Sequence, residues 1–321
     1  MNKISIVIPC YNEDAVLPEL FRRLGSVIAG WPYDVEVICV DDGSRDGTWA
    51  LLQAQAGRDP RWKALSFARN FGHQTAVSAG IFHARGDAIT ILDADLQDPP
   101  EELPLLLAKW REGYQVVYAI RTRRKEGPLK RLCYWLFYRL LASVASNPMP
   151  LDTGDFCVID RTVADVLRSM PERNRFVRGL RAWAGFRQIG VPFERHARAA
   201  GSAHYTYGKL LRLALDGIFS FSSVPLRVAT WFGFGVSALS LAGVLFTLAQ
   251  RIFSRWFATI GLAPVPGFAT IVVSVLFLGG VQLICIGILG EYLGRIYDEV
   301  KRRPQWVIAQ AAGLDPAVPP L

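Results

Sequence analysis

Ile4, Ile6, Val7 and Ile8 form an almost continuous apolar run that ends in the polar turn Cys10-Tyr11-Asn12-Glu13. A run of this kind fits a strand covered on both faces, as in a parallel sheet sandwiched between helices. The plan repeats along the first half of the chain. Residues 35–40 end in Asp41-Asp42-Gly43-Ser44, 64–67 lead into Arg69-Asn70-Phe71-Gly72-His73-Gln74, and 88–92 stop at Asp93-Ala94-Asp95-Leu96-Gln97. Residues 116–120 end at Arg121, and 158–160 follow the Thr153-Gly154-Asp155-Phe156 stretch as one more strand. Helical periodicity fills the intervals at about 14–29, from Thr48 onward, and through about Ala84. Strand and helix in alternation at these spacings predict an α/β domain with a Rossmann-like, mostly parallel sheet and right-handed crossovers.

The pattern then changes. In 125–146, Lys130, Arg131 and Arg139 are interleaved with Leu132, Tyr134, Trp135, Leu136, Phe137 and Tyr138. This is too charged to span a bilayer. It predicts a basic amphipathic helix at about 128–146, lying in the headgroup plane or burying its aromatic face in the core. A second amphipathic stretch, 209–226, carries Lys209, Arg212 and Asp216. Residues 228–250 and 267–290 contain no charged side chain, and each is long enough to cross a hydrocarbon layer of roughly 30 Å. Gly279, Gly280, Gly287, Gly290 and Gly294 let the second span pack closely against other helices. The excess of positive charge lies outside this pair, at Lys209, Arg212 and Arg227 before it and Arg295, Lys301, Arg302 and Arg303 after it, against Arg251 and Arg255 between the spans. That bias places both termini in the cytoplasm. The expected organisation is a catalytic domain over 1–208, the juxtamembrane helix, the two spans and a cytosolic tail over 291–321.

Composition supports this division. The 321 residues have a mean hydropathy of +0.22, 51% hydrophobic content and a net charge of +8. A basic chain favours anionic partners, and its basic residues flank the spans, which favours a membrane surface and phosphorylated substrates over nucleic acid. Five cysteines without a C-x-x-C spacing argue against a zinc site or a disulfide framework. The start of the chain lacks the charged, apolar and small-residue regions of a signal peptide.

Three of the predicted strands end in carboxylates. In an open sheet, strand carboxyl ends face the ligand crevice, so Asp93 and Asp95 are placed where a ligand binds. Crowded carboxylates at such a point suit a hard cation held together with substrate phosphates; an Asp-rich turn is the structural alternative. The chain lacks G-x-G-x-x-G and G-x-x-x-x-G-K-[ST] spacings, which argues against a dinucleotide fold or P-loop and strengthens the metal reading. The arginines of 173–198, including Arg175, Arg178, Arg181, Arg187, Arg195 and Arg198, form either a solvated basic face or an anion site.

Ile6 to Glu13, Val40 to Ser44, Arg69 to Gln74, Asp93 to Pro100 and Thr153 to Phe156 together resemble the motifs of family 2 glycosyltransferases. With two C-terminal spans, the chain is most similar to bacterial polyprenyl-phosphate (undecaprenyl-phosphate) glycosyltransferases related to dolichol-phosphate mannose synthase. The resemblance covers residues 4–303. It implies an A-type glycosyltransferase fold at the bacterial inner membrane, multi-pass, with the catalytic domain cytoplasmic. It further implies inverting transfer of a hexose from a nucleotide-diphosphate sugar to polyprenyl phosphate for cell-envelope glycan or lipopolysaccharide modification, with Mg2+ or Mn2+. UDP-glucose is the first choice of donor. By resemblance, Pro9, Tyr11, Asn12, Glu13, Asp42, Asp93 and Ala94 bind the nucleotide sugar, and Asp93, Asp95 and Gln97 surround the metal, with Asp95 its direct ligand. Arg121, Arg131 and Arg198 engage phosphates of the lipid, and Asp155, Asp93 and Arg121 act in catalysis. The acceptor phosphate is already largely dianionic at neutral pH, so Asp155 is expected to position substrate or metal at least as much as to accept a proton. Gly-Ser-Ala-His-Tyr at 201–205 departs from the usual Gly-x-Ser-Lys-Tyr loop and leaves the role of His204 open. Relatives of this kind often form homo-oligomers, tetramers among them. A processive polysaccharide synthase and a non-catalytic membrane-anchored interaction protein are the alternatives. The first would need a Gln-x-x-Arg-Trp motif, which Arg181-Ala182-Trp183 does not supply.

Overall fold

The computed structural model describes residues 2–121, 153–173, 175–193, 224–261 and 267–314. The amphipathic stretch 128–146, most of 209–226, Arg131, Arg198 and His204 lie outside the described residues. The chain forms two compact units, 1–211 with 302–321, and 212–301.

The first unit is built on β1 (Lys3–Cys10), β2 (Asp34–Asp41), β3 (Trp62–Phe67), β4 (Ala88–Ile91), β5 (Val116–Arg121), β6 (Thr153–Asp160), β7 (Gln188–Phe193) and β8 (Ile308–Ala312). They form one sheet in the order β7-β5-β6-β4-β1-β2-β3-β8. Strands β4, β1, β2 and β3 are parallel neighbours, and so are β5 and β7. The sheet is mixed because β6 runs antiparallel between β4 and β5, and β8 antiparallel along β3. Among the first-unit helices are α1 (Leu17–Ala29), α2 (Thr48–Arg58), α3 (His73–His83), α4 (Leu103–Arg111), α5 (Arg161–Ser169) and α6 (Val177–Trp183).

Continuous apolar strands are explained by helices on both faces. Ile4, Ile6 and Ile8 of β1 join a core with Leu17, Leu20, Leu24, Leu103 and Leu107, from α1 and α4. Val7, pointing the other way, joins Ala76, Val77, Ala79, Val163, Ala164 and Leu167, from α3 and α5. The small residues of α3 are what let it lie close on the sheet. A Cβ added to Gly80 would come 2.1 Å from Val7 Cγ1. That close seating brings the start of α3, His73 and Gln74, to the carboxyl edge of the parallel strands.

The terminal strand is an unforeseen contribution of the tail. Trp306 is 4% exposed, stacks on Phe67 at 6.4 Å and meets Phe82 edge-on at 5.9 Å. The Ala68 amide donates to the Val307 carbonyl at 2.9 Å, and Trp49 Nε1 donates to Gln310 Oε1 at 2.7 Å. Residues 305–314 therefore complete the sheet edge instead of trailing from it. Cys10, Cys39 and Cys157 are buried free thiols inside this unit.

The second unit contains α7 (Val224–Ile252), the short α8 (Ser254–Thr259) and α9 (Phe268–Val300). At 1.5 Å per residue, the 29 residues of α7 and 33 of α9 extend about 43 and 50 Å. Both are long and apolar enough to cross a membrane, within 226–243 and 277–300. Their surfaces expose Trp231, Phe234, Leu239, Val275, Leu283 and Ile284 by more than half, a pattern that water disfavours and lipid accepts. Gly279, Gly280, Gly287, Gly290 and Gly294 have open space where a Cβ would stand.

Candidate active site

The sheet brings most of the sequence-selected residues to one edge. The turn after β1 carries Tyr11, Asn12 and Glu13, and its backbone is tied to the turn after β2. The Asn12 amide donates to Ser44 Oγ at 2.9 Å, the Arg45 amide donates to Asn12 Oδ1 at 2.9 Å, and the Glu13 amide donates to Thr48 Oγ1 at 2.8 Å. Asn12 adopts φ 54°, a left-handed conformation that its short polar side chain tolerates. Tyr11 is 44% exposed and presents an open ring, while Pro9 is buried in the strand.

Asp42 at the end of β2 is buried. Its Oδ1 accepts from the Phe71 amide at 2.7 Å and its Oδ2 from the Gly72 amide at 2.9 Å. Burial nevertheless raises its pKa above the ordinary value, partly offset by those two amides. Asp42 thus fastens the β2 turn to the loop that leads into α3. Gly43 sits at φ 69° with Arg69 so close that a Cβ would come 2.5 Å from its carbonyl carbon. Only glycine fits this crossing.

Beyond β4, Asp93 and Asp95 stand in a turn in which Leu96 takes φ 57°. Asp95 Oδ1 accepts from the Gln97 amide at 3.1 Å, and Ala94 is buried beneath. Asp93 Oδ1 is a buried oxygen with no hydrogen-bond partner among the described residues. Burial, followed by the charges of Asp155, Asp98 and Asp95, pushes the Asp93 carboxyl up to about 6, against the opposing effect of His73. An under-satisfied carboxylate among other carboxylates is the chemistry that a divalent cation resolves, and Mg2+ is commonly bound by one or two carboxylates plus phosphates. Among the described residues no three acidic, His or Cys side chains cluster at ligating distance.

Asp155 lies in β6 itself, because this strand begins at Thr153 rather than at Val158 as the apolar pattern suggested. Since β6 is antiparallel to β4, its start meets the same sheet edge as the end of β4. Arg178 of α6 grips Asp155 with both fork positions, Nε to Oδ1 at 2.8 Å and Nη2 to Oδ2 at 3.0 Å. Gln74 Nε2 donates to Oδ2 at 3.3 Å. His73 Nε2 stands 3.3 Å from Asp155 Oδ2 and 3.7 Å from Asp93 Oδ1, bridging the two carboxylates. Burial opposes ionisation of Asp155, but the His73 hydrogen bond and the Arg178 guanidinium override it and hold the carboxyl well below the usual range. Burial likewise lowers the His73 pKa, and Asp155 and Asp93 reverse this to a net rise.

Residues 5–168 match the profile described as Glycosyl transferase family 2. The chain belongs to this family. An uncharacterized glycosyltransferase of Synechocystis sp. is 45% identical over 314 residues, covering 98% of this chain and 96% of that protein. The SfII prophage-derived bactoprenol glucosyl transferase of Shigella flexneri is 41% identical over 311 residues, covering 96% and 98%. Glucosyl-3-phosphoglycerate synthase of Mycobacterium tuberculosis aligns with a TM-score of 0.47 at 21% identity, covering 68% of this chain and 79% of that one.

For this family 2 glycosyltransferase, the structure brings Pro9, Tyr11, Asn12, Glu13, Asp42, Asp93, Ala94, Asp95, Gln97 and Asp155 to neighbouring strand ends, and Arg121 closes β5 at the same edge. Three residues without a role from sequence enter the site: His73, Gln74 and Arg178. A histidine and an amide opening a helix directly after a strand turn were the available signal. Three arginines of the 173–198 segment are placed by packing and pairing, while Arg195 and Arg198 lie outside the described residues. Arg175 caps the end of α5 through the Leu167 and Met170 carbonyls, Arg181 is 2% exposed beneath the Tyr118 ring, and Arg178 holds Asp155.

Proposed function

We propose that this protein transfers glucose from a nucleotide-diphosphate sugar, UDP-glucose first among donors, to the phosphate of a polyprenyl carrier at the cytosolic membrane face. The observation that carries the reading is the full-length similarity to the bactoprenol glucosyl transferase of Shigella flexneri, which extends through both apolar helices. A catalytic domain alone would not require them. In the reaction a phosphate oxygen of the acceptor attacks the anomeric carbon, and the bond to the diphosphate breaks with its electron pair leaving on the nucleotide. The products are a polyprenyl-phosphate sugar of inverted configuration and a nucleoside diphosphate.

Asp93 and Asp95, with Gln97 beside them, would hold a divalent cation, Mg2+ or Mn2+, that stabilises the charge on the leaving diphosphate. The turn of Tyr11 to Glu13, with Pro9, Asp42 and Ala94, forms the nucleotide side of the cleft. Asp155 faces the sugar from the opposite strand. Arg121, with Arg131 and Arg198 outside the described residues, receives the lipid phosphate; arginine suits this through its forked, permanently charged donors.

Chain connectivity supports a hairpin with both ends on one side. The chain leaves the sheet unit after β7 and returns to it as β8, which two crossings allow and one does not. Arg227 in the first turn of α7 and Lys301, Arg302 and Arg303 after α9 favour the cytoplasm of a bacterial inner membrane for that side. The open glycines of α9 accommodate further helices, as in a homo-oligomer such as a tetramer. A membrane preparation containing the protein, supplied with radiolabelled nucleotide sugars and polyprenyl phosphate, is expected to yield labelled, extractable lipid with UDP-glucose. Absence of labelled polyprenyl phosphate with every donor would overturn the reading.

A further inference from the structure

The carboxylate of Asp155 is held by more donors than a proton acceptor can use. It is 7% exposed in β6, and side chains from two helices converge on it. Oδ2 accepts from Arg178 Nη2 and Gln74 Nε2 and faces His73 Nε2, while Oδ1 accepts from Arg178 Nε. A carboxylate has about four acceptor directions, so among the described residues only one, on Oδ1, is left for a substrate. Gln74 also binds in the opposite sense: its Oε1 accepts from the Val177 amide at 2.9 Å, which fixes the start of α6, the helix that carries Arg178. The first turn of α3 and the first turn of α6 are thereby locked together around one side chain.

We propose that Arg178 and Gln74 are positioning residues for the transfer reaction, which fix Asp155 so that its remaining acceptor direction orients a sugar hydroxyl instead of removing a proton. The inference rests on the glycosyl-transfer reading above and deepens it. The acceptor, a phosphate monoester, supplies its own anionic oxygen and requires no proton acceptor. What the reaction requires of the protein is alignment of the anomeric carbon with that oxygen, and a displacement of about 1 Å can cost on the order of 100-fold in rate. An arginine fork is a suitable clamp because its two parallel bonds fix the carboxylate plane as well as its place.

The test uses the full-length protein in polyprenyl-phosphate-containing vesicles, with Arg178→Gln, Arg178→Lys, Gln74→Ala, Asp155→Asn and the Asp155→Asn/Arg178→Gln double variant. Arg178→Gln is expected to lower kcat on the order of 100-fold with KM for both substrates within about threefold, and Arg178→Lys to recover part of the loss by keeping charge without the fork. The double variant is expected to fall no further than Asp155→Asn, because the two residues act as one unit. Titration with UDP and Mn2+ should give the wild-type affinity in Arg178→Gln. Were Asp155 a base, releasing it from the guanidinium would strengthen it, so an unchanged or raised kcat in Arg178→Gln overturns the proposal. Multiplicative losses in the double variant overturn it too. If Arg178→Gln fails to accumulate in membranes, Gln74→Ala decides: a several-fold fall in kcat supports the clamp, and a kcat within twofold of wild type removes it. Lipid product from the wild type alongside a normal Arg178→Gln defeats only this inference. A wild type that makes none with any donor defeats the function reading and this inference with it.

Discussion

Asp93→Asn should abolish transfer while making the metal-free protein more stable. The Asp93 carboxyl is raised from 3.8 to about 6, first by burial and then by Asp155, Asp98 and Asp95. A raised folded-state pKa means that the group favours folding when protonated. Its contribution is fully present below about pH 3.8, and is lost as pH rises through about 6. The difference of roughly two units corresponds to about 3 kcal/mol at neutral pH. The side chain is 23% exposed, so this value is a ceiling. Asparagine has the same shape and cannot ionise, so it removes the cost. For a catalytic unit of this size that is a rise in Tm of about 6–12 °C at most. The assay is thermal unfolding of detergent-solubilised protein with EDTA at pH 7.5, repeated near pH 5, where the advantage of Asp93→Asn should shrink to about half. Adding Mn2+ should raise the wild-type Tm and leave the variant unmoved, since a ligand stabilises only the form that binds it. A variant that melts at or below the wild-type temperature in EDTA at pH 7.5 would refute the account of Asp93 as a strained carboxylate awaiting a cation.

Three further outcomes follow from packing and charge. Gly80→Ala places a methyl 2.1 Å from Val7 Cγ1 and should cost about 1–3 kcal/mol in unfolding experiments, most of it regained by adding Val7→Ala. Trp306→Ala empties a buried aromatic site against Phe67 and Phe82 and should cost about 3–5 kcal/mol, seen as a lower Tm and faster proteolysis near residues 305–314, with Trp306→Phe much milder because the indole N–H has no partner among the described residues. Arg131→Ala should raise the KM for polyprenyl phosphate far more than that for the nucleotide sugar; equal changes would argue against a lipid-phosphate role.

The parts of the fold most legible in sequence were those in which one period governs a whole element. Ile4 to Pro9 and residues 35–40 are buried on both faces and read as strands without further context. The apolar pattern starts a strand only at Val158 and leaves Asp155 ahead of it; pairing of Thr153 with Ile120 and Cys157 with Tyr118 extends β6 back to Thr153. No local pattern reveals that pairing, since its partner lies more than 30 residues away. Likewise β8, with the composition Ile-Ala-Gln-Ala-Ala, has little strand character of its own. Its strand state comes from the open edge of β3 and from Trp306, both non-local. For the site, the carboxylates were visible because they end apolar strands at the edge of an open sheet where ligands bind. Their partners were not, because an arginine in a basic segment shows nothing of its pairing until α6 is seated beside β6.

The return of the chain as β8 makes the second unit an insertion in sequence. A segment appended to the end of a domain only extends it, whereas one inserted between β7 and β8 leaves the sheet edge dependent on chain that follows the second unit. That edge matters to the site. Phe67, against which Trp306 stacks, meets Phe71 edge-on at 5.6 Å, and the amides of Phe71 and Gly72 hold Asp42. The next residue is His73, which bridges Asp93 and Asp155. Each step is a direct contact, so loosening residues 305–312 acts first on the loop whose amides hold Asp42 and which leads into His73. An edge strand left open would also expose the unpaired backbone of β3 to other chains. The same segment therefore covers the open edge of β3 and, through Phe67, supports the loop before α3.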